Sequence, residues 1–199
     1  MTSSDDTAAL QRLSETLAAH GRVLDVVATP ATTAARVRAE LGLPEEFTGT
    51  YAAAGPADGS SVPWVVEELF LFSLAELPNA QDGYRWSGPD RERLTDWPSS
   101  WVVVASVFAD PFLVDTREPG FPVRFARHGA GEWRTTLVSP TLAAFYDALA
   151  VLESSLLGDF GGDAFDVAGL RPEFTERVSA ALHDVLDPEQ AAAFVQTLE

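Results

Sequence analysis

The chain has 199 residues, no cysteine, 30 acidic residues against 13 arginines, no lysine and a formal charge of −17. Disulfides, thiolate catalysis and cysteine-ligated zinc are thereby excluded, and so acidic a surface repels phosphate backbones and anionic headgroups, which argues against nucleic-acid and membrane partners. With 46% apolar and 22% charged residues, the composition is globular, and a chain of this length buries roughly 70% of its unfolded surface, enough for one core.

Met-Thr-Ser-Ser-Asp-Asp is acidic where a secretory signal is basic, and no apolar run approaches the ~20 residues that span a bilayer. A cytoplasmic chain forming a single domain over residues 1–199 is expected. Leu10, Leu13, Leu17 and Leu24 fall on one helical stripe, so a helix is predicted over residues 6–20, with Gly21 as its stop. Residues 29–33 break the pattern, and a second helix is predicted over 34–41. Pro44 then introduces Glu45-Glu46-Phe47, where the two glutamates complement a helix dipole and Phe47 and Tyr51 share a face. Residues 56–63, rich in Gly, Ser, Asp and Pro, read as a surface loop.

The run 68–74 reads as a first strand, although an apolar run this short is also compatible with a helix. Residues 75–94 have no period and read as a connecting loop. Residues 101–108, 112–116, 123–128 and 133–138 are β-branched or aromatic and separated by turn chemistry, including Gly129-Ala130-Gly131, so an antiparallel meander is predicted. Asp110 before Pro111 reads as a turn residue and Asp115 as a strand end.

Ser139-Pro140 suggests a helix start, with Leu142, Phe145, Leu149 and Leu152 forming the face that covers the meander. Residues 158–169 form a Gly- and Asp-rich break. Phe174, Val178, Leu182 and Val185 mark another helix, and Asp187-Pro188-Glu189-Gln190 opens the last with a cap, a first-turn proline and a glutamine three residues on. Residues 153–199 hold ten acids against Arg171 and Arg177.

No residue constellation calls for a catalytic site, a metal or a cofactor. His20, His128 and His183 lack ligand spacing, and Asp159, Asp163 and Asp166 do not fit an EF-hand loop. Asp159-Phe160-Gly161 copies a kinase triplet with no catalytic loop before it. The five tryptophans, Trp64, Trp86, Trp97, Trp101 and Trp133, are read as core or half-buried, with Trp86, in the polar loop 81–88 beside Tyr84, the best candidate for a partner anchor. Glu67, Glu68, Asp82, Asp90 and Asp96 are the carboxylates expected to steer a basic protein partner toward Trp86 or Tyr84.

Several short motifs carry a resemblance. L-G-L-P-E-E-F-x-x-x-Y at residues 41–51, L-F-S-L-x-E-L at 71–77, D-P-F-L-V-D-T at 110–116 and P-V-R-F-x-R-H-x-x-G-E-W at 122–133 precede a helix with Leu142, Phe145 and Leu149. Over residues 34–153 this order resembles the SUKH superfamily of Smi/Knr-like proteins, related to a fungal cell-wall assembly regulator. Ala54-Gly55-Pro56 stands where that family commonly has Asn-Gly. The resemblance implies an α+β core with an antiparallel sheet of about five strands packed by helices. To it are added an N-terminal helical extension (1–33) and an acidic C-terminal helical extension (154–199) docked on the core. It implies a non-catalytic immunity protein that neutralises a cognate toxin such as a nuclease or deaminase. A Smi/Knr-type scaffold without a toxin partner and a carboxylate-based hydrolase are the alternatives, and the pattern sets no oligomeric state.

Overall fold

The computed structural model describes residues 3–129, 131–167 and 169–199. Met1 and Thr2 of the acidic N-terminus, Ala130 of the expected glycine-flanked turn and Ala168 of the break at 158–169 lie outside the described residues. The fold is α+β. Its main sheet has six antiparallel strands, β1 (Ser60–Trp64), β2 (Glu67–Leu71), β3 (Trp101–Val107), β4 (Asp110–Asp115), β5 (Val123–Ala126) and β6 (Thr135–Ser139), adjacent in chain order as a meander. The register is set by Val62 opposite Leu69, Phe70 opposite Ser106, Val102 opposite Val114 and Phe112 opposite Phe125.

Strand β1 corrects the reading of residues 56–63 as loop throughout. Its Ser60-Ser61-Val62-Pro63-Trp64 has one β-branched residue and a proline, yet it lies at the sheet edge, where a missing N–H is tolerated, and it buries Val62 and Trp64.

One face of the sheet is covered by helices. Helix α1 (Ser3–Ala19) buries Leu10, Leu13 and Leu17, and α5 (Leu142–Glu153) buries Leu142, Phe145, Leu149 and Leu152, the two stripes legible in the sequence. Arg12 joins them with a forked pair of bonds to Asp147 at 2.8 and 2.9 Å. Between them and the chain's middle lie α2 (Ala31–Leu41), ended by Gly42 at φ +68°, and α3 (Glu45–Ala53). A left-handed residue with no Cβ is the least strained way to stop a helix there. The cap of α5 is Thr141, whose side chain accepts from the Ala144 N–H, and not Ser139, which ends β6 and donates to the Thr141 carbonyl at 2.7 Å.

The last helices, α6 (Pro172–Leu182) and α7 (Pro188–Gln196), close the same core. The ring of Phe194 lies 5.8 Å from Trp64 and 6.4 Å from Phe145. Phe112, central in the sheet, meets Phe125, Phe145 and Trp64 at 4.9, 5.2 and 5.5 Å. Asp187 caps α7 by accepting from the Glu189 and Gln190 N–H groups, while the Gln190 side-chain oxygen makes no reciprocal bond, so only half of a capping box forms.

Glu153, the last residue of α5, stands where the helix passes into a π-helical turn (Ser154–Asp159). It is fully buried, and among the described residues neither carboxyl oxygen has a hydrogen-bond partner. Burial pushes its carboxyl up to about 8, opposed by Arg22 and reinforced by Glu68.

Two predictions follow from this packing. Phe194→Ala removes a ring from the junction of β1, α5 and α7 and should lower unfolding free energy by about 3–5 kcal/mol in urea titrations, as for other buried Phe truncations. Glu153 holds its proton in the folded state above its unfolded value, so stability falls as pH rises from about 4.5 to about 8. Asp6, raised by burial only to about 6, has completed its own decline before the upper part of that window. Between pH 6.5 and 8.5 the native chain should lose on the order of 2 kcal/mol, and Glu153→Gln should remove most of that loss.

Candidate protein-interaction surface

Among the described residues no helix longer than a single turn covers the other face of the sheet, and one loop roofs half of it. After β2 the chain makes the short helix α4 (Leu77–Ala80), and Gln81 then turns its carboxamide to strand β3. Its nitrogen donates to the Leu77 and Val103 carbonyls and its oxygen accepts from the Val103 N–H at 3.0 Å. The side chain thus satisfies β3 beyond the point where β2 stops pairing with it. Arg85, also buried, donates to the Leu41 and Ser99 carbonyls and ties the loop to the end of α2. Burial, and then the neighbouring Arg93, lower its affinity for its proton.

Under this roof lies a second core of Tyr84, Trp97, Val103, Leu113 and Ala126. Trp97 is its hub, with ring centroids of Trp133, Tyr84 and Trp101 at 5.0, 5.3 and 5.4 Å and its indole N–H on the Trp101 carbonyl. Strand alternation puts Val102 and Val104 in the helical core and Val103 in this one, and the β3 irregularity between Val103 and Ala105 lets Ala105 join the helical core directly after Val104.

The other half of that face is open. Phe70, between the buried Leu69 and Leu71, points away from the helices and is 48% exposed; Val66 is 66% and Phe108 75% exposed. The register that sets Phe70 against Ser106 brings the β1–β2 turn, Val65-Val66, and the β3–β4 turn, Phe108-Ala109, to the same end of the sheet. Both turns are backbone outliers, with Val65 at φ +57° and Phe108 at φ +50°. Two-residue hairpin turns favour Gly, Asn or Asp in that region, and a β-branched or bulky residue there is strained. Glu67, Glu68 and Asp110 flank the turns.

The seven residues expected at a binding site divide between these two halves. Glu67 and Glu68 open β2 beside the exposed turns, and Glu68 accepts from Arg22 at 3.0 Å. Asp82, Asp90 and Asp96 are exposed on the roof, Asp82 lying 3.4 Å from Arg91. Trp86 is half-buried, with the Arg85 and Arg93 guanidiniums over its ring at 5.1 and 5.9 Å. Tyr84 corrects the expectation of a surface anchor: it is only 8% exposed, and its hydroxyl donates to the Ala109 carbonyl at 2.8 Å. In this loop Asp82, Gly83, Ser87 and Gly88 face out, Tyr84 fills the sheet face, and the polar Gln81 and Arg85 are buried on backbone groups.

The remaining candidates have structural partners. Asp110 and Asp115 end opposite sides of β4, about 16 Å apart along an extended chain, so they form no acid–base pair. Asp110 is the first strand residue and not the turn; its carboxylate accepts from the His128 N–H. Asp115 grips Arg117, which together with backbone and Ser100 bonds holds its carboxyl down at about 2. Asp159 and Asp163 pair with Arg177 and Arg171 of the α6 region at 2.7 and 2.5 Å. His20, His128 and His183 are exposed, and among the described residues no group of three or more His, Cys, Asp or Glu is placed to hold a metal ion. No described helix is long and apolar enough to cross a membrane.

No family model matches the chain, and no curated protein matches it.

The strained turn gives a stability test. Phe108 packs against little, so Phe108→Gly relieves the left-handed backbone with little loss of burial and should raise unfolding free energy by about 1 kcal/mol. A loss of stability in chemical denaturation would contradict the strain.

Proposed function

We propose that this chain is a non-catalytic, cytoplasmic protein-binding domain: an immunity protein that occupies the basic face of a cognate nuclease or deaminase toxin. The observation that carries the reading is the open half of the sheet, where Val66, Phe70 and Phe108 stand exposed at one end beside Glu67, Glu68 and Asp110. Exposed apolar groups in an acidic frame suit a partner with an apolar contact set in positive charge. Strained turn residues kept where glycine would fit suggest that the side chains serve something other than folding. The resemblance of residues 34–153 to the SUKH superfamily supports the same reading, because many of its bacterial members are immunity proteins. A toxin that holds phosphates is basic, and a charge of −17 accelerates encounter with it.

In this reading Glu67 and Glu68 steer and Phe108 and Phe70 anchor, in place of Tyr84; Asp82, Asp90, Asp96 and Trp86 lie on the neighbouring roof as a secondary rim. Rim charges act mainly on the association rate, and buried aromatic anchors on dissociation.

Affinity capture from the native lysate with wild-type and Phe108→Gly baits, followed by kinetics and a toxin activity assay, tests the proposal. The expected partner is a basic nuclease or deaminase that the wild-type chain inhibits. Its association should slow as salt rises, and Phe108→Gly should weaken its binding by about tenfold or more. A partner with no toxic activity would point to a scaffold, and equal capture by both baits or salt-independent association would overturn the proposed surface.

A further inference from the structure

In a chain with more than twice as many acids as arginines, a guanidinium without a close carboxylate is the exception. Nine of the thirteen arginines lie within 3.4 Å of a carboxylate oxygen: 12, 22, 36, 38, 91, 117, 124, 171 and 177. The other four form two pairs. Arg85 and Arg93 stack on Trp86 and donate to the carbonyls of Leu41, Ser99 and Trp97, so backbone oxygens occupy them. Arg127 and Arg134 are different.

Thr136 pairs with Phe125 and Thr135 with Ala126, and carrying that register one step outward sets Arg127 opposite Arg134. Like charges directly across an antiparallel pair are destabilising. The carboxylate nearest Arg134, that of Glu132, is 3.9 Å away with both side chains 88% exposed, an arrangement that contributes almost nothing. Among the described residues, Arg127 has a long 3.4 Å contact to the Gln196 carbonyl at the end of α7 and a stacking contact with Phe125. Both arginines line one cavity of about 270 Å³ between β5, β6 and α7, with Thr136 and Gln196 on its wall and Phe125 and Ala193 at its base.

We infer that this cavity is an oxyanion site, taking a small ligand that carries a carboxylate or a phosphate. Two guanidiniums facing across a strand pair supply the forked donors that both groups accept, Thr136 adds a hydroxyl, and the apolar base receives a short carbon skeleton. The bound anion replaces repulsion between Arg127 and Arg134 with two charge-assisted contacts. The site is independent of the toxin-binding reading, which uses acidic residues and the opposite face of the sheet.

The test is titration of the full chain with inorganic phosphate and, separately, with succinate, at constant ionic strength held with sodium chloride. It is read by the NMR signals of the arginine Nε–H groups and by melting temperature. The Arg127 and Arg134 signals should shift saturably with at least one probe while that of Arg93 stays still. Arg134→Gln should weaken binding about tenfold or more, with Arg134→Lys intermediate because the charge remains and the fork is lost. Response to phosphate alone assigns a phosphate-bearing ligand, response to succinate alone a carboxylate, and response to both a general oxyanion site. In chloride, Arg134→Gln should melt no lower than wild type, because it removes a like-charge contact. No saturable shift with either probe at tens of millimolar, unchanged binding in Arg134→Gln, or a lower melting temperature of that variant in chloride would overturn the inference.

Discussion

The structure depends on how β3 is covered on its second face. A strand that is buried on both sides needs its edge groups satisfied and its outward side chains packed, and the helices α1, α5, α6 and α7 all pack into the core on the other side. A single side-chain amide, that of Gln81, meets the Val103 N–H and carbonyl where β2 falls short, and so fixes the start of the loop against the sheet. Arg85 fixes its next turn to the end of α2 and to Ser99, and Trp97 fills the space that results. The loop packs on Val103, Leu113 and Ala126 and leaves Phe70 and Phe108 outside.

This partial roof links the fold to the proposed role. The helical face is filled by the ring cluster of Phe112, Phe145, Trp64 and Phe194. The outer face presents two strained turns side by side, flanked by carboxylates. In an acidic chain, apolar groups among acids select a partner by charge first and by fit second. The arginines show the complementary economy: most are paired with carboxylates, two donate to backbone carbonyls of α2 and the roof loop, and two line one cavity between β5, β6 and α7.

Much of the helical architecture was legible because it rests on local signals. The leucine stripe of α1, the Leu142-Phe145-Leu149-Leu152 face of α5 and Asp187 as a cap each depend on spacing within a turn or two. The elements that escaped depend on partners distant in sequence. Ser60–Trp64 became a strand because Glu67–Leu71 folds back on it at the edge, which its proline and serines do not announce. Ser139 yielded the cap position to Thr141 because β6 pairing claims it.

The candidate surface was less legible. Tyr84 looked exposed because its neighbours are polar, whereas its own environment is set by Trp97 and Trp133. Phe108 read as a strand end, although the absence of Gly or Asn between two strands separated by Phe-Ala was a signal that the turn itself is strained. The opposition of Arg127 and Arg134 appears only once the register of β5 and β6 is known.

The central claim is that the outer face of the sheet is half roofed and half open, and hydroxyl-radical footprinting of the free chain with residue-level mass spectrometry tests it most directly. The account predicts rapid oxidation of Phe70 and Phe108, with Tyr84 and Trp97 protected to the extent of the core residues Phe112 and Phe145. Protection of Phe70 and Phe108 together with rapid oxidation of Tyr84 and Trp97 would contradict it.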